Sequence, residues 1–409
     1  MAGEDALRAQ YEAYPYPARD PADEARRLVT GSPSHVAEIV HYLRGGRPIE
    51  SPFRALVAGG GTGDGAIMLA QQLSDAGVDA EVIHLDLSQA SARIAAARAK
   101  ARRLDNIRFV HGSLTELGTL GLGTFDYIDC CGVLHHLEDP PAALRGLAGA
   151  LAGDGGIGLM VYGTLGRTGV YPAQQALRLL GTEVDPAANV ALTRRLLGDL
   201  PESNWLTRND FLADHLHGDD AGLYDLLLHS RDRAYLVPEV FDLAEAAGLS
   251  VAAFIEPARY DPATYLSDAE LRARAAALPW QERCALAELL AGSMKRHVAY
   301  LAKGDAADCV ARPDGTMVPV LREGDGETMA RGLASSRHLS AELESLSFRY
   351  RLGNLAPAIL SRIDGRRSID AIYADLSSTP RRETFDAAFA ELYAALNGIN
   401  VLLLSHPAD

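Results

Sequence analysis

Short apolar runs alternate with amphipathic stretches through the first part of the chain. Arg54 to Ala58 (RALVA) predicts a buried strand that runs into a glycine loop, and Asp64 to Ala76 follows as a helix. Glu81 to Asp86 (EVIHLD) reads as a second strand, and Ser88 to Arg103 as a helix with Ser88 at its N-cap. Ile107 to His111, Phe125 to Cys131 and Gly156 to Tyr162 read as three more strands, with a helix over Pro140 to Leu151 between the last two. Strands spaced by helices of this length imply a parallel sheet covered on both faces.

Beyond Tyr162 the rhythm changes. Residues 163–236 carry helical patterns and no clear strand. Pro238 to Gly248 predicts a helix with a glycine stop, Leu249 to Ile255 a strand, and residues 261–294 further helices. His297 to Ala302 reads as the last strand of this part. Insertions at 163–236 and 261–294 would then lie over the carboxyl edge of the sheet, as a substrate lid. Cys309 to Leu321 suggests a hairpin around Pro313-Asp314-Gly315. Leu355 to Ile363, Ser368 to Leu376 and Pro380 to Leu396 predict three helices, followed by a strand at Ile399 to Leu404. The expected organisation is an N-terminal helical, cofactor-capping segment (1–50), a catalytic α/β domain (51–303) and an accessory α+β domain (304–409).

With 409 residues the chain exceeds one ordinary domain. Its net charge of -15, from 39 basic and 54 acidic side chains, argues against a broad nucleic-acid surface. The four cysteines form no C-x-x-C pair, so neither a structural zinc site nor a cysteine-ligated iron–sulfur cluster is expected, and no metal ligands are assigned. A reducing cytoplasm is the expected location: the N-terminus is too charged for a signal peptide, and no apolar run could span a membrane.

Val57-Ala-Gly-Gly-Gly-Thr-Gly63 lies between a strand and a helix, where glycines let backbone approach a cofactor. No Gly-Lys-Ser/Thr follows, which excludes a Walker loop. Asp86 ends the second strand 23 residues after Gly63, placed to accept both hydroxyls of a ribose. His111-Gly-Ser-Leu114 ends the third strand, and Cys131-Gly-Val-Leu-His-His-Leu-Glu-Asp-Pro140 follows the fourth. This set, over about residues 54–162, resembles the class I S-adenosylmethionine-dependent methyltransferases. The resemblance implies a Rossmann-like, seven-stranded sheet with helical lid insertions. It also implies a cofactor site at Gly59, Gly61, Gly63, Asp86, Leu87, Ser113, Leu114 and Gly132. Two positions depart from the family pattern: Val57 replaces the acidic residue before the loop, and Ser113 replaces an Asp near the adenine. Gln10-Tyr-Glu-Ala-Tyr-Pro-Tyr-Pro17 is similar to a segment of a bacterial methyltransferase subfamily. It either folds over the cofactor pocket, with Tyr11 or Tyr16 facing the substrate, or forms a packed turn.

Methyl transfer is an in-line displacement that needs an aligned nucleophile and, for a protonated acceptor, a base. His135, His136 and Tyr162 border the expected site as catalytic candidates, with closing the pocket structurally as the alternative role of the His pair. His229 and Arg233 belong to a polar cluster before the 238–248 helix that forms either a substrate wall or, through Asp232, a salt bridge positioning the lid. Residues 355–376 are similar to the small winged-helix domain that recognises leader peptides in pyrroloquinoline-quinone synthesis. Residues 304–409 hold 11 basic and 15 acidic side chains, which favours peptide docking, packing or homodimer formation over DNA binding. The reading that results is a methyltransferase acting on a protein or peptide side chain. The alternatives are a metabolite methyltransferase and a catalytically silent, cofactor-binding scaffold, with an NAD-dependent dehydrogenase as the rival outside the family.

Overall fold

In a computed structural model, residues 2–181, 185–212, 219–304, 306–336, 338–344, 346–378 and 380–407 are described. Parts of the 163–236 insertion, at 182–184 and 213–218, lie outside them. Eleven strands are formed among the described residues: β1 Phe53–Ala58, β2 Ala80–Asp86, β3 Ile107–His111, β4 Phe125–Cys131, β5 Leu151–Tyr162, β6 Ser250–Phe254, β7 Arg296–Ala302, β8 Val318–Leu321, β9 His338–Leu343, β10 Leu346–Arg351 and β11 Leu402–Ser405. A seven-stranded sheet runs in the order β3-β2-β1-β4-β5-β7-β6. The pairs among β1 to β5 are parallel, while β6 and β7 are antiparallel. The strand order reverses between β1 and β4, and open α/β sheets bind ligands at that crevice. No helix of the described residues is long and apolar enough to cross a membrane.

The chain divides into two compact units. The first holds residues 1–34, 51–249 and 292–298. Its central strands are near-continuous apolar runs because helices cover both faces. Leu56, Ile83, Ile128 and Ile157 are fully buried. Within the 163–236 insertion, helices Val170–Leu180 and Pro186–Asp199 and a π-helical turn Tyr224–Leu228 form a separate small core of Val170, Leu177, Leu206, Leu223 and Leu226. Leu179, Leu180, Trp205 and Phe211 of the same insertion face solvent.

The second unit holds residues 35–50, 250–291 and 299–409. Its core gathers Ile359, Ile372, Phe385, Leu392 and Leu396 from the helices at Ala356–Leu360, Ile369–Ala374 and Arg382–Gly398. Ser368 caps the second of these through the Ala371 N–H, as its position before an apolar run suggests. The hairpin expected around Pro313-Asp314-Gly315 is not formed. Instead, Asp314 closes a local turn by accepting from the Thr316 N–H, and β8 pairs antiparallel with β11, some eighty residues on. The hairpin of this unit is β9–β10, preceded by a helix Gly326–Ser336. The alternation of polar and apolar residues in β9 and β10 was an available strand signal, but no Gly, Pro, Asn or Asp between them marks a turn. Gly326 matters for packing: a Cβ there would lie 2.2 Å from the Leu360 carbonyl oxygen. Within the same unit Glu38 is fully buried, yet accepts from the Tyr300 hydroxyl, the Asn400 amide and Arg322.

In the first unit Arg98 and Glu24 are 1% and 2% exposed and bonded to each other, with Nε 2.7 Å from Oε1. Removing one partner of such a pair leaves a buried charge. The Glu24→Ala variant is therefore expected to lose about 3 kcal/mol of stability in urea unfolding, the lower end of that class because Asp64 still holds the guanidinium.

Candidate active site

The glycine loop between β1 and the helix Asp64–Asp75 takes left-handed backbone at Gly59, Gly61 and Gly63. Gly61 is the constrained position: a Cβ there would lie 2.8 Å from the Tyr16 carbonyl oxygen. The end of β2 clamps the loop twice. Asp86 Oδ2 accepts from the Gly61 N–H at 2.7 Å, and His84 Nε2 lies 3.0 Å from the Gly61 carbonyl, so the imidazole donates there. Asp86 Oδ1 accepts from the Ser88 N–H at 2.7 Å. Each carboxylate oxygen keeps a second lone pair, as ribose hydroxyls require. Leu87 is half-buried and its carbonyl bonds His111 Nε2. Ser113 is buried and accepts from the Thr115 N–H, capping the short turn that begins at Leu114. Gly132 has φ of 77° beyond the end of β4. These positions ring the end of the sheet where the strand order reverses, and the left-handed glycine cradle beside an acidic strand end fits an adenosine-bearing cofactor.

The segment before β1 straps this loop. The Thr62 hydroxyl donates to the Pro17 carbonyl at 2.7 Å, Arg19 forks onto Asp64, and the Ser88 hydroxyl donates to the Tyr11 carbonyl. Tyr16 contributes its backbone to the loop while its ring is exposed at 39%.

The second half of the site is a cluster of rings around one carboxylate. Tyr162, at the end of β5, donates to Asp225 Oδ2 at 2.8 Å, and Tyr11 donates to Asp225 Oδ1 at 3.2 Å. Burial, then the Asp225 charge, holds both phenols well above the usual tyrosine range, so both remain donors. His229 stacks on His136 with centroids 3.7 Å apart, and His135 packs on Tyr162 at 3.9 Å. His136 Nδ1 lies 2.9 Å from the Arg231 carbonyl, which places the proton on that nitrogen. His229 Nδ1 instead accepts from the Arg231 N–H, which places its proton on Nε2, 3.4 Å from the Tyr11 hydroxyl. His136, Asp225 and His229 have atoms within 4.8 Å of one another, a spacing that would suit a metal ion. His229 would have to give up its bond from Arg231 to offer Nε2 as a ligand. Neither nitrogen of His135 has a hydrogen-bond partner, although the ring is 1% exposed.

Tyr11, His135, His136, Tyr162 and His229 therefore come together, as the sequence suggested. Arg233 does not reach them with its side chain: its guanidinium pairs with Glu239, and only its backbone N–H bonds the His135 carbonyl. The salt bridge expected at Asp232 is present, with Arg167 as the partner at 2.8 Å. That guanidinium also lies 3.7 Å from the centre of the Tyr162 ring. Asp225 and Arg167 escaped the sequence reading. The available signal for Asp225 was a single acid inside the apolar run Leu223-Tyr-Asp-Leu-Leu-Leu228, which the structure winds into a π-helical turn.

Burial, then the adjoining His136 and the Arg167 charge, holds His135 well below the usual imidazole range and pushes His229 down to about 2. A histidine with a lowered folded value is neutral in the native state but takes a proton when unfolded below pH of about 6.5. Its contribution is thus lost as pH falls. At pH 5 the His229→Asn variant should recover roughly 2 kcal/mol relative to its difference from wild type at pH 7.5, measured as the change in urea midpoint.

Comparison with known proteins agrees with this geometry. Residues 56–157 match the family described as a methyltransferase domain. An uncharacterized protein of Synechococcus sp., syc1184_c, is 31% identical over 290 residues, covering 70% of this chain and 68% of its own. PKMT2 from Rickettsia typhi in complex with AdoHcy shares the fold at a TM-score of 0.62 and 13% identity, over 92% of this chain and 76% of its own. A second structure of PKMT2 matches at a TM-score of 0.61 and 14% identity, over 91% of this chain and 75% of its own. With its glycine loop, reversing strand order and an acid at the end of β2 in place, the chain belongs to the class I S-adenosylmethionine-dependent methyltransferases.

Proposed function

We propose that the chain methylates a side chain of a protein or peptide, with the acceptor atom seated against Asp225. The observation that carries this reading is that the insertion supplying Asp225 and His229 also turns Leu179, Leu180, Trp205 and Phe211 to solvent. Exposed apolar groups of that size beside a catalytic cluster suit a macromolecular partner that covers them. The accessory unit, read as winged-helix-like, offers a further surface for a polypeptide.

Gly59, Gly61, Gly63, Asp86, Leu87, Ser113, Leu114 and Gly132 would hold the cofactor. When bound, S-adenosylmethionine supplies a methyl group activated by its sulfonium and leaves as a neutral thioether. The residues of the chain do the rest. Tyr11 and Tyr162 each use one hydroxyl to fix Asp225, leaving a lone pair on each carboxylate oxygen for the acceptor's hydrogen. That hydrogen bond aims the acceptor's lone pair and gives its proton a place to go. His135, with two unpartnered nitrogens, supplies a further polar contact to the bound side chain. The rings of Tyr162, His135, His136 and His229 keep water from the reacting atoms.

Two measurements test the reading. Incubation with S-adenosylmethionine carrying a labelled methyl group and a cell lysate split by size should place the label in acid-precipitable protein. The Asp225→Asn variant should lower that labelling about 100-fold or more while still binding S-adenosylhomocysteine. Label confined to the low-mass fraction would point to a metabolite, and no label with intact cofactor binding would point to a scaffold. Separately, Asp86→Ala should weaken S-adenosylmethionine binding by about 1–3 kcal/mol in calorimetry, because charge-assisted hydrogen bonds are lost.

A further inference from the structure

Asp129 lies in β4, one of the two strands flanking the point where the strand order reverses, and is 2% exposed. Its register partner across the parallel pair is Val57, two residues before the glycine loop. The Ser34 hydroxyl donates to Oδ2, whereas Oδ1 has no hydrogen-bond partner. The carboxylate fits beneath the first turn of the following helix only because residue 65 is glycine: a Cβ there would lie 2.6 Å from Oδ2. Burial pushes its titration up to about 6, with the Ser34 hydroxyl and the Cys131 backbone pulling the other way.

A buried carboxylate with one bare oxygen is costly unless a cation or donor meets it. The nearby arginines at the glycine loop are already committed, Arg19 and Arg98 both to Asp64. The cofactor of this family brings its own cation, the α-ammonium group of its methionine end. We infer that Asp129 is the carboxylate that receives this α-ammonium group, supplying from β4 the negative charge that β1 lacks at Val57. The same charge repels the cofactor's α-carboxylate, so it sets which way the methionine end lies in the crevice. This makes Asp129 a binding residue of the methionine end, separate from the ribose contact expected of Asp86.

The test is a ligand series in calorimetry at pH 8. S-adenosylhomocysteine carries the α-ammonium group, its deaminated analogue lacks only that group, and 5′-methylthioadenosine lacks the whole amino-acid end. Wild-type protein should bind S-adenosylhomocysteine at least tenfold more tightly than the deaminated analogue. The Asp129→Asn variant should lose at least tenfold for S-adenosylhomocysteine and less than twofold for 5′-methylthioadenosine. An equal loss for both ligands would mark Asp129 as a structural support and overturn the inference. So would an unchanged affinity for S-adenosylhomocysteine. Equal binding of S-adenosylhomocysteine and its deaminated analogue by wild type would overturn it without any variant.

Discussion

The cofactor end of the first unit is organised around one guanidinium. Arg98 reaches out from the helix Gln89–Arg102 and donates at once to Glu24, to Asp64 and to the Thr62 carbonyl of the glycine loop. It is 1% exposed, so its charge is affordable only while those partners stay in place. Asp64 is in turn forked by Arg19, and the two arginines hold its carboxyl below the usual range against the opposing effect of burial. The consequence is geometric. A loop of left-handed glycines is intrinsically mobile, and here its far end is fixed by charges from two other segments of the chain.

A similar economy governs the ring cluster. Asp225 is 5% exposed and carries no cationic partner among its described hydrogen bonds; two phenols stabilise it instead. Arg167 sits close by, on the Tyr162 ring, but its charge is matched by Asp232. The positive and negative charges of this pocket are thus partitioned. Arg167 and Asp232 pair with each other, and Asp225 is met by two phenols.

The sheet was legible in the sequence because buried parallel strands are continuous apolar runs, and all of β1 to β5 have that form or contain it. The seven strands follow from the family resemblance and are present, in the order β3-β2-β1-β4-β5-β7-β6. Three of the five clustered rings were legible for a different reason: Tyr162, His135 and His136 stand at strand ends, where topology alone places them at the crevice. Tyr11 came from the resemblance of its segment to a methyltransferase subfamily, and His229 from the polar cluster before the 238–248 helix. Asp225 was not legible, since its importance comes from a fold-back of the insertion that no local pattern encodes. The same holds for β8 and β11, whose pairing joins residues about eighty positions apart. Arg233 shows the opposite failure: a charge near the site in sequence found a nearer partner in Glu239.

Tyr11 ties the segment before the sheet to both the ring cluster and the start of the helix after β2. Its carbonyl accepts from the Ser88 hydroxyl, two residues beyond Asp86, while its own hydroxyl donates to Asp225. One residue therefore bonds both the helix N-cap that follows Asp86 and the Asp225 carboxylate. The neighbouring Glu12 reinforces the first contact by accepting from the N–H groups of Gln89 and Ala90, at the start of the helix that carries Arg98. Shifting this segment would disturb the ring cluster and the glycine loop together. The ring cluster and the glycine loop, built from distant stretches of sequence, are in this way held in one geometry, and in-line methyl transfer has a narrow tolerance for distance and angle.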